Sequence, residues 1–267
     1  MNSDPIGVFD SGIGGLTVLK EIFRVLQQES TVYLGDTARV PYGIRSAETV
    51  VRYSFENTEF LVAKGIKLLV IACNTVSAVS LDAIKERLSM PVIGVIEPGA
   101  RAAVKATKNN RIGVIGTEAT INSGAYARVI QQIDGALDVF GLPCPLFVPL
   151  VEEGLTDDEI TVMVAKKYLR QVRDKGIDTL VLGCTHYPLL KSVIGKVMGD
   201  TVTLIDSAIE TVKEIRETLL RDSAECNALR EPSRLFYVTD SPDRFKSVGE
   251  RFLGQKIKTI EKIDIGL

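Results

Sequence analysis

A twelve-residue pattern occurs twice in the chain and limits the folds that the chain can adopt. Residues 64–75 and residues 175–186 each contain a glycine, an apolar stretch, a small residue, a cysteine and then polar groups. A short apolar stretch without alternating polar positions is typical of a strand that is buried on both faces. The cysteines that follow the two stretches are Cys73 and Cys184. The repeat therefore predicts two similar units, each with a buried strand that ends in a thiol.

Strands and helices alternate around both copies of this pattern. Residues 5–11 and residues 111–117 also match each other, each as an apolar strand that ends in polar residues. This order of elements is typical of parallel sheets covered by helices. We therefore predict an α/β fold with two similar domains, mainly parallel sheets, pseudo-symmetry and an active site between the domains. A single sheet is the alternative for a chain of this length.

The domain limits are predicted from the ends of the repeat. The first set of elements ends near residue 96, and the second extends to about residue 205. The tail has no counterpart in the second set, so we assign it to the first. The predicted domains are residues 1–97 plus 207–267, and residues 98–206.

Local patterns predict several individual elements. Ser46 and Ser207 are predicted to cap helices, and Gly65 to end one. The remaining predictions are a strand at 145–149, a helix over 76–88, a capping box at 156–159, a loop at 221–233, a strand at 235–238 and a helix at 242–253. The helix after the capping box is predicted to place five apolar residues on one face: Ile160, Met163, Val164, Tyr168 and Val172.

The composition argues against several classes of protein. With 45% hydrophobic and 25% charged residues and a net charge of −2, the chain has no basic surplus for nucleic acid or an anionic membrane. The chain has no tryptophan to stack on bases. The N-terminus lacks the pattern of a signal peptide, and no apolar run has the length of a membrane span. We expect a cytoplasmic protein that binds neither nucleic acid nor membrane.

The four cysteines argue against a metal site or a disulfide. They are widely spaced and form no CxxC motif, and His186 is the only histidine. A structural zinc site would have to be assembled from these scattered residues, and disulfides are rare without an export signal. We therefore predict no metal, and we see no motif for a cofactor.

Polar residues follow several of the predicted strands. In parallel sheets, ligands bind beyond the carboxyl ends of the strands, so these residues are expected to converge. Each of them alone could be an ordinary cap or turn residue. The candidates are Asp10, Ser11, Tyr42, Gly43, Cys73, Asn74, Thr75, Thr117, Glu152, Cys184, Thr185 and His186.

The paired thiols indicate a specific chemistry. A single cysteine at a strand end is usually buried and inert, but two at matching positions of a repeat indicate function. Each also precedes a predicted helix, whose dipole favours thiolate. Two thiols on opposite sides of a ligand can remove a proton from one face of a carbon and deliver one to the other, which inverts a stereocentre.

Two neighbouring motifs leave their roles open. Residues 10–15 form a glycine-rich turn that could hold an anion such as a carboxylate or could be a plain tight turn. Asp10 could face an ammonium group or orient a thiol. His186 could form a nucleophilic pair with Cys184, act as a general acid or base, bind a carboxylate, or be a polar residue that is simply satisfied by hydrogen bonds. Residues two apart need not face each other, which argues against the nucleophilic pair.

Four motifs together resemble glutamate racemases of the aspartate/glutamate racemase superfamily. They lie at residues 10–16, 35–43, 72–75 and 183–190. The resemblance implies cofactor-independent interconversion of L- and D-glutamate, which supplies D-glutamate for peptidoglycan. It also implies a two-domain fold and usually a homodimer.

The resemblance further implies the roles of individual residues. Cys73 would abstract the α-proton of D-glutamate, and Cys184 that of L-glutamate. Asp10, His186 and Glu152 would assist the thiols. The predicted substrate-binding residues are Asp10, Ser11, Tyr42, Gly43, Asn74, Thr75, Thr117, Thr185 and His186. The alternatives are a related racemase acting on aspartate or a hydantoin, a thiol hydrolase using Cys184 and His186, and a two-lobed amino-acid-binding protein.

Overall fold

Two parallel sheets form the framework of the molecule. The computed structural model describes residues 3–226 and 231–266. The strands are β1 (Ile6–Asp10), β2 (Thr31–Gly35), β3 (Leu68–Ile71), β4 (Val92–Gly94), β5 (Arg111–Gly116), β6 (Asp138–Pro143), β7 (Thr179–Gly183), β8 (Thr203–Asp206), β9 (Arg234–Val238) and β10 (Glu261–Lys262). The first sheet has the order β10-β9-β2-β1-β3-β4, and the second has the order β6-β5-β7-β8. The predicted α/β class with parallel sheets is confirmed.

Helices connect the strands and cover the sheets. They are α1 (Leu16–Val25), α2 (Ala47–Ala63), α3 (Asn74–Val79), α4 (Leu81–Arg87), α5 (Ile96–Ala106), α6 (Glu118–Asn122), α7 (Ala125–Ile133), α8 (Phe147–Glu152), α9 (Glu159–Arg173), α10 (Lys191–Met198), α11 (Ser207–Arg221) and α12 (Pro242–Leu253). Short 3₁₀ turns lie at Tyr42–Ile44 and Tyr187–Leu190. No helix within residues 3–226 and 231–266 is long and apolar enough to cross a membrane.

Both faces of the first sheet are buried. In β1, Ile6 and Val8 belong to one hydrophobic cluster and Phe9 belongs to another. Successive side chains of a strand point to opposite faces, so two separate cores cover this sheet. This explains why its strands are continuous apolar runs in the sequence.

The tail of the chain adds strands to the first sheet. β9 pairs with β2 in parallel, and β10 pairs with β9. The strand predicted at 235–238 and the helix predicted at 242–253 are both present. In the loop predicted at 221–233, residues 227–230 lie outside the described residues. The domain limits given above stay a prediction.

The strand predicted at residues 145–149 is wrong. The strand that pairs with β5 is β6, which ends at Pro143, and the predicted segment begins α8. Pro149 lies in the first turn of α8. Proline is tolerated there because the first backbone N–H groups of a helix have no partner within it.

The single helix predicted over residues 76–88 is also wrong. It is two helices, α3 and α4, with a break at Ser80. Ser80 is buried, and the hydroxyl of Ser54 in α2 donates a hydrogen bond to its hydroxyl over 3.1 Å. The first of these helices begins directly after Cys73.

The helix starts were predicted with mixed success. Ser46 caps α2 by accepting a hydrogen bond from the Thr49 N–H, and Gly65 has a φ of 72° just after the helix end, so both predictions are confirmed. The capping box at 156–159 is wrong, because Asp158 caps α9 and residue 159 is already helical. Ser207 is not a cap either, since Asp206 caps α11.

The most buried residues of α9 are not the apolar face that the sequence shows. Ile160 is 50% exposed and Met163 is 63% exposed. The buried residues of this helix are Thr161, Ala165, Leu169 and Val172. The fully buried residues thus lie next to the apolar face that the sequence shows. Val172 belongs to both sets, and Val164 and Tyr168 are half-buried against the core.

Candidate active site

One cavity of about 340 Å³ lies where strands of both sheets end. A cavity of this size is at the lower end of small-molecule sites. All twelve candidates from the sequence line it: Asp10, Ser11, Tyr42, Gly43, Cys73, Asn74, Thr75, Thr117, Glu152, Cys184, Thr185 and His186. The strand ends therefore converge as expected, while the role of each residue stays a prediction.

Cys73 lies in a setting of hydroxyl and carboxyl groups. Its Sγ is 3.5 Å from the Oγ of Ser11. Burial and then the charge of Asp10 raise the pKa of the Cys73 thiol to about 12. At neutral pH this thiol therefore carries its proton.

Asp10 is almost completely buried at the end of β1. Its Oδ2 accepts a hydrogen bond of 2.9 Å from the N–H of Gly12. Its Oδ1 is buried and has no hydrogen-bond partner among the described residues. Burial raises the pKa of this carboxyl group, although the charge of His186 acts in the opposite direction. Asp10 therefore offers one unused oxygen next to the cavity.

Cys184 lies instead in a chain that contains an imidazole. Its Sγ is 3.9 Å from the Nδ1 of His186, and the Nε2 of His186 is 3.1 Å from the Oε1 of Glu152. Burial alone would lower the pKa of His186, but the hydrogen bonds with Cys184 and Glu152 raise it to about 10. The hydrogen bond with His186 is also the main cause that lowers the pKa of Glu152. Residues 184 and 186 thus face each other, which residues two apart in a chain need not do.

A local turn explains how these two residues meet. The N–H of Tyr187 donates to the carbonyl oxygen of Cys184, and the N–H of Leu189 donates to that of His186. The chain therefore folds back directly after β7. In this tight turn the side chain of His186 can reach the sulfur two residues earlier.

Several polar groups around the cavity are positioned by residues that follow β5 of the second sheet. The Oδ1 of Asn74 accepts a hydrogen bond of 2.8 Å from the hydroxyl of Tyr126, while its Nδ2 is buried without a partner among the described residues. The hydroxyls of Thr75 and Thr117 are 3.0 Å apart, and both contact that of Thr120. Asn74 thus presents a free donor beside a cluster of hydroxyl groups.

The side chain of Tyr42 is used within the protein. Its hydroxyl donates to Asp36 and accepts a hydrogen bond of 3.2 Å from Asn57, and the residue is 1% exposed. Tyr42 can therefore reach a ligand only through its ring or its backbone. The neighbouring Gly43 lines the cavity as well.

The glycine-rich turn after β1 lets the two halves of the molecule, one built on each sheet, approach each other. A Cβ atom on Gly14 would lie 2.1 Å from the Oγ1 of Thr185 and 2.6 Å from the Nδ1 of His186. The hydroxyl of Thr17 donates a hydrogen bond of 2.9 Å to the carbonyl oxygen of Thr185. The turn therefore allows close packing here, and its role toward an anion stays a prediction.

The tail contributes residues that the sequence analysis did not single out. Arg244 and Arg251 of α12 donate to Glu152, and the ring of Phe252 packs edge-on against His186. These residues follow the last recognisable motif by more than fifty positions, and no local pattern marks them. No lysine or arginine in the described part of the chain lines the cavity itself.

The described residues also bear on metal binding. Within residues 3–226 and 231–266, no group of three or more His, Cys, Asp or Glu side chains could hold a metal ion. The four cysteines are free thiols. The expectation of a reaction without metal or cofactor stays a prediction.

Comparison with known proteins decides the family. A sequence model described as Asp/Glu/hydantoin racemase matches residues 6–215. The chain belongs to this family. A glutamate racemase of Geobacter metallireducens is 54% identical over 260 residues, which cover 97% of this chain and 96% of the relative. The predicted enzyme class, an isomerase of the racemase type, is confirmed.

Solved structures of this family have the same fold. A glutamate racemase isoform of Bacillus anthracis superposes with a TM-score of 0.95 at 45% identity, covering 99% of this chain and 98% of its own. The glutamate racemase of Francisella tularensis in complex with D-glutamate has a TM-score of 0.93 at 41% identity, with the same coverage. An aspartate racemase homologue of Pyrococcus horikoshii, at 18% identity and a TM-score of 0.55 over 80% of this chain and 98% of its own, shares the fold alone.

Proposed function

We propose that the protein interconverts L- and D-glutamate without a cofactor, with Cys73 and Cys184 as the two acid/base groups. The observation that carries this proposal is that both thiols end equivalent strands and line the same cavity. A site with one acid/base group on each side of a carbon can exchange its proton with inversion.

The reaction from L-glutamate begins with a proton on Cys73 and none on Cys184. The thiolate of Cys184 takes the α-proton, and the thiol of Cys73 delivers its proton to the opposite face of the carbon. Both thiols have then changed state, and the reverse reaction from D-glutamate runs through the same steps. The protonated His186 lies where it stabilises negative charge on the sulfur of Cys184.

The substrate carboxylates would be held without a cationic side chain. The free Nδ2 of Asn74 and the hydroxyls of Thr75 and Thr117 are donors at the cavity wall. Ser11 and Thr185 supply further hydroxyls, and the unused oxygen of Asp10 can face an ammonium group or the thiol beside it. Such fixed donors stabilise the charge that develops in the transition state.

Glutamate is the proposed substrate because the relatives with high identity are glutamate racemases. Aspartate or a hydantoin is the alternative, since the family as a whole includes such racemases. The thiol-hydrolase alternative has some support in the structure, because Cys184, His186 and Glu152 form a hydrogen-bonded series. It assigns no function to Cys73.

One experiment separates these functions. The protein is incubated with L-glutamate in D₂O without added cofactor, and optical rotation and α-deuteration are followed. We expect rotation to decay to zero while deuterium enters the α-position. If neither change occurs, the proposal is refuted. Faster racemisation of L-aspartate, measured in parallel, would refute the choice of glutamate as substrate. Full racemase activity in Cys73→Ala would refute the two-thiol mechanism.

We also propose that the enzyme works in the cytoplasm as a homodimer and supplies D-glutamate for peptidoglycan. The resemblance to glutamate racemases supports this setting. Light scattering during gel filtration is expected to give twice the chain mass. Depletion of the protein in its host is expected to cause a growth defect that added D-glutamate relieves, and growth without it would contradict the assigned role.

A further inference from the structure

The helix α12 connects the tail of the chain to the Cys184 side of the site. The Nη2 of Arg244 lies 3.3 Å from the Oε2 of Glu152, and Arg251 donates to the backbone carbonyl oxygen of Glu152. The helix α12 follows β9 of the first sheet, whereas Glu152 ends the helix after β6 of the second. The contact therefore joins the two halves of the molecule at the site.

Arg244 completes a series of polar contacts that ends at a reactive sulfur. Glu152 uses Oε2 for Arg244 and Oε1 for the Nε2 of His186, at 3.3 Å and 3.1 Å. The Nδ1 of His186 is 3.9 Å from the Sγ of Cys184. Because each carboxylate oxygen has its own partner, the rotation of this carboxyl group is restricted from two sides. On the other side, the side-chain partner of the Cys73 sulfur is the hydroxyl of Ser11.

We propose that Arg244 is a positioning residue for proton transfer at Cys184 and not for proton transfer at Cys73. Arg244 holds one oxygen of Glu152 and so directs the other oxygen toward His186. This contact keeps the imidazole beside the sulfur of Cys184. This inference rests on the two-thiol function proposed above. Arg244 does not line the cavity, so it acts through Glu152.

The exposure of Arg244 separates this role from a general role in stability. Its side chain is 59% exposed, and exposed ion pairs contribute little to folding. The two halves are also joined by Arg251 and by the hydrogen bond between Thr17 and Thr185. Loss of Arg244 is therefore expected to leave the fold intact.

Racemisation rates alone cannot reveal an effect on one thiol. Two enantiomers have equal free energy, so kcat/KM must be equal in the two directions for every variant. An assay that needs only proton abstraction avoids this limit. With 3-chloroglutamate, the thiolate takes the α-proton, the C–H electron pair forms the Cα–Cβ double bond, and chloride leaves with the C–Cl pair. The enamine product then hydrolyses to a 2-oxo acid and ammonia.

The experiment compares chloride release from the two enantiomers. The enantiomer whose reaction is lost in Cys184→Ala identifies the Cys184-dependent reaction. For Arg244→Gln we expect that reaction to slow by about 3- to 5-fold, the size of a partly exposed ion pair. The reaction of the other enantiomer is expected to stay unchanged. Arg244→Lys, which keeps the charge, is expected to lose less.

Lys246→Gln is the matched control, since Lys246 is an exposed cation of the same helix that does not contact Glu152. It should change neither reaction. Glu152→Gln disturbs the same contacts from the other side and should show the same bias between enantiomers. Equal slowing of both reactions in Arg244→Gln, or slowing of neither, overturns the inference. If the wild-type protein neither racemises glutamate nor releases chloride, the proposed function fails instead.

Discussion

The surroundings of Cys73 and Cys184 differ although the two cysteines end equivalent strands. Beside Cys73 lie the hydroxyl of Ser11 and the charge of Asp10, and its thiol is held protonated. Beside Cys184 lies His186. Burial would lower the pKa of His186, but the hydrogen bonds with the sulfur of Cys184 and with Glu152 raise it, so the imidazole keeps its charge. One half therefore favours a neutral sulfur, and the other can stabilise a charged one.

This difference shows what a repeated scaffold does and does not determine. Repetition places a thiol at each of two matching strand ends. The residues directly after each thiol, Asn74 and Thr75 in one copy and Thr185 and His186 in the other, make the halves chemically distinct. Such inequality suits the proposed substrate, glutamate, which is chiral and has two unequal carboxylate arms.

The largest expected effect comes from removing either thiol. Cys73→Ala and Cys184→Ala should each reduce glutamate racemisation by about 10³-fold, because each removes one of the two proposed acid/base groups. Polarimetry measures the loss. Cys144→Ala is the control, since Cys144 is a buried cysteine that does not line the cavity. If Cys73→Ala or Cys184→Ala kept its racemase activity, racemisation would not require both thiols.

A pair of variants tests whether the two halves act separately. His186→Asn should slow the Cys184-dependent elimination from 3-chloroglutamate by about 10²-fold, since it removes the imidazole beside that sulfur. Asp10→Asn should act mainly on the Cys73-dependent elimination. Chloride release from each enantiomer measures both effects. If either variant slowed both reactions equally, the halves would not be independent.

Gly14→Ala tests the contact that brings the halves together. The added Cβ would overlap with Thr185 and His186, so we expect the free energy of unfolding to fall by about 2–3 kcal/mol, with a loss of activity. Urea denaturation measures the change. Gly195→Ala is the control, because its Cβ would meet only Leu204 at 3.8 Å. Since Gly195 lies inside α10, that variant should gain about 0.5–1 kcal/mol.

A further expected effect is a pH dependence of stability that belongs to the Cys184 half. The pKa of His186 is about 10 in the folded protein, and that of an ordinary histidine is 6.5. The folded protein therefore binds this proton more tightly than the unfolded chain does. This contribution to stability is complete below pH 6.5 and is lost as the pH rises to about 10. Urea denaturation at several pH values should show a steeper decline for wild type than for His186→Asn. Parallel curves would contradict the raised pKa.

The strands and the convergence of the site were predictable because they depend on local patterns. Continuous apolar runs identified β1, β3, β5 and β7, and the strand-end rule placed the polar residues after them on one cavity. The errors concern residues whose structure depends on distant contacts. Apolar residues at 145–149 suggested a strand, but pairing by β6 left them free to begin α8. Ile160 and Met163 share the apolar face that their spacing predicts for α9, yet both are largely exposed.

By itself, the sequence determined the α/β class, the parallel strands, the two matching thiols and the set of residues near them. These features arise from apolar periodicity and from residues adjacent along the chain. The tertiary structure alone decided that Gly14 packs against Thr185 and His186, and that Arg244 of the tail reaches Glu152. Such contacts join residues more than ninety positions apart, so they exist only once the two sheets have packed against each other.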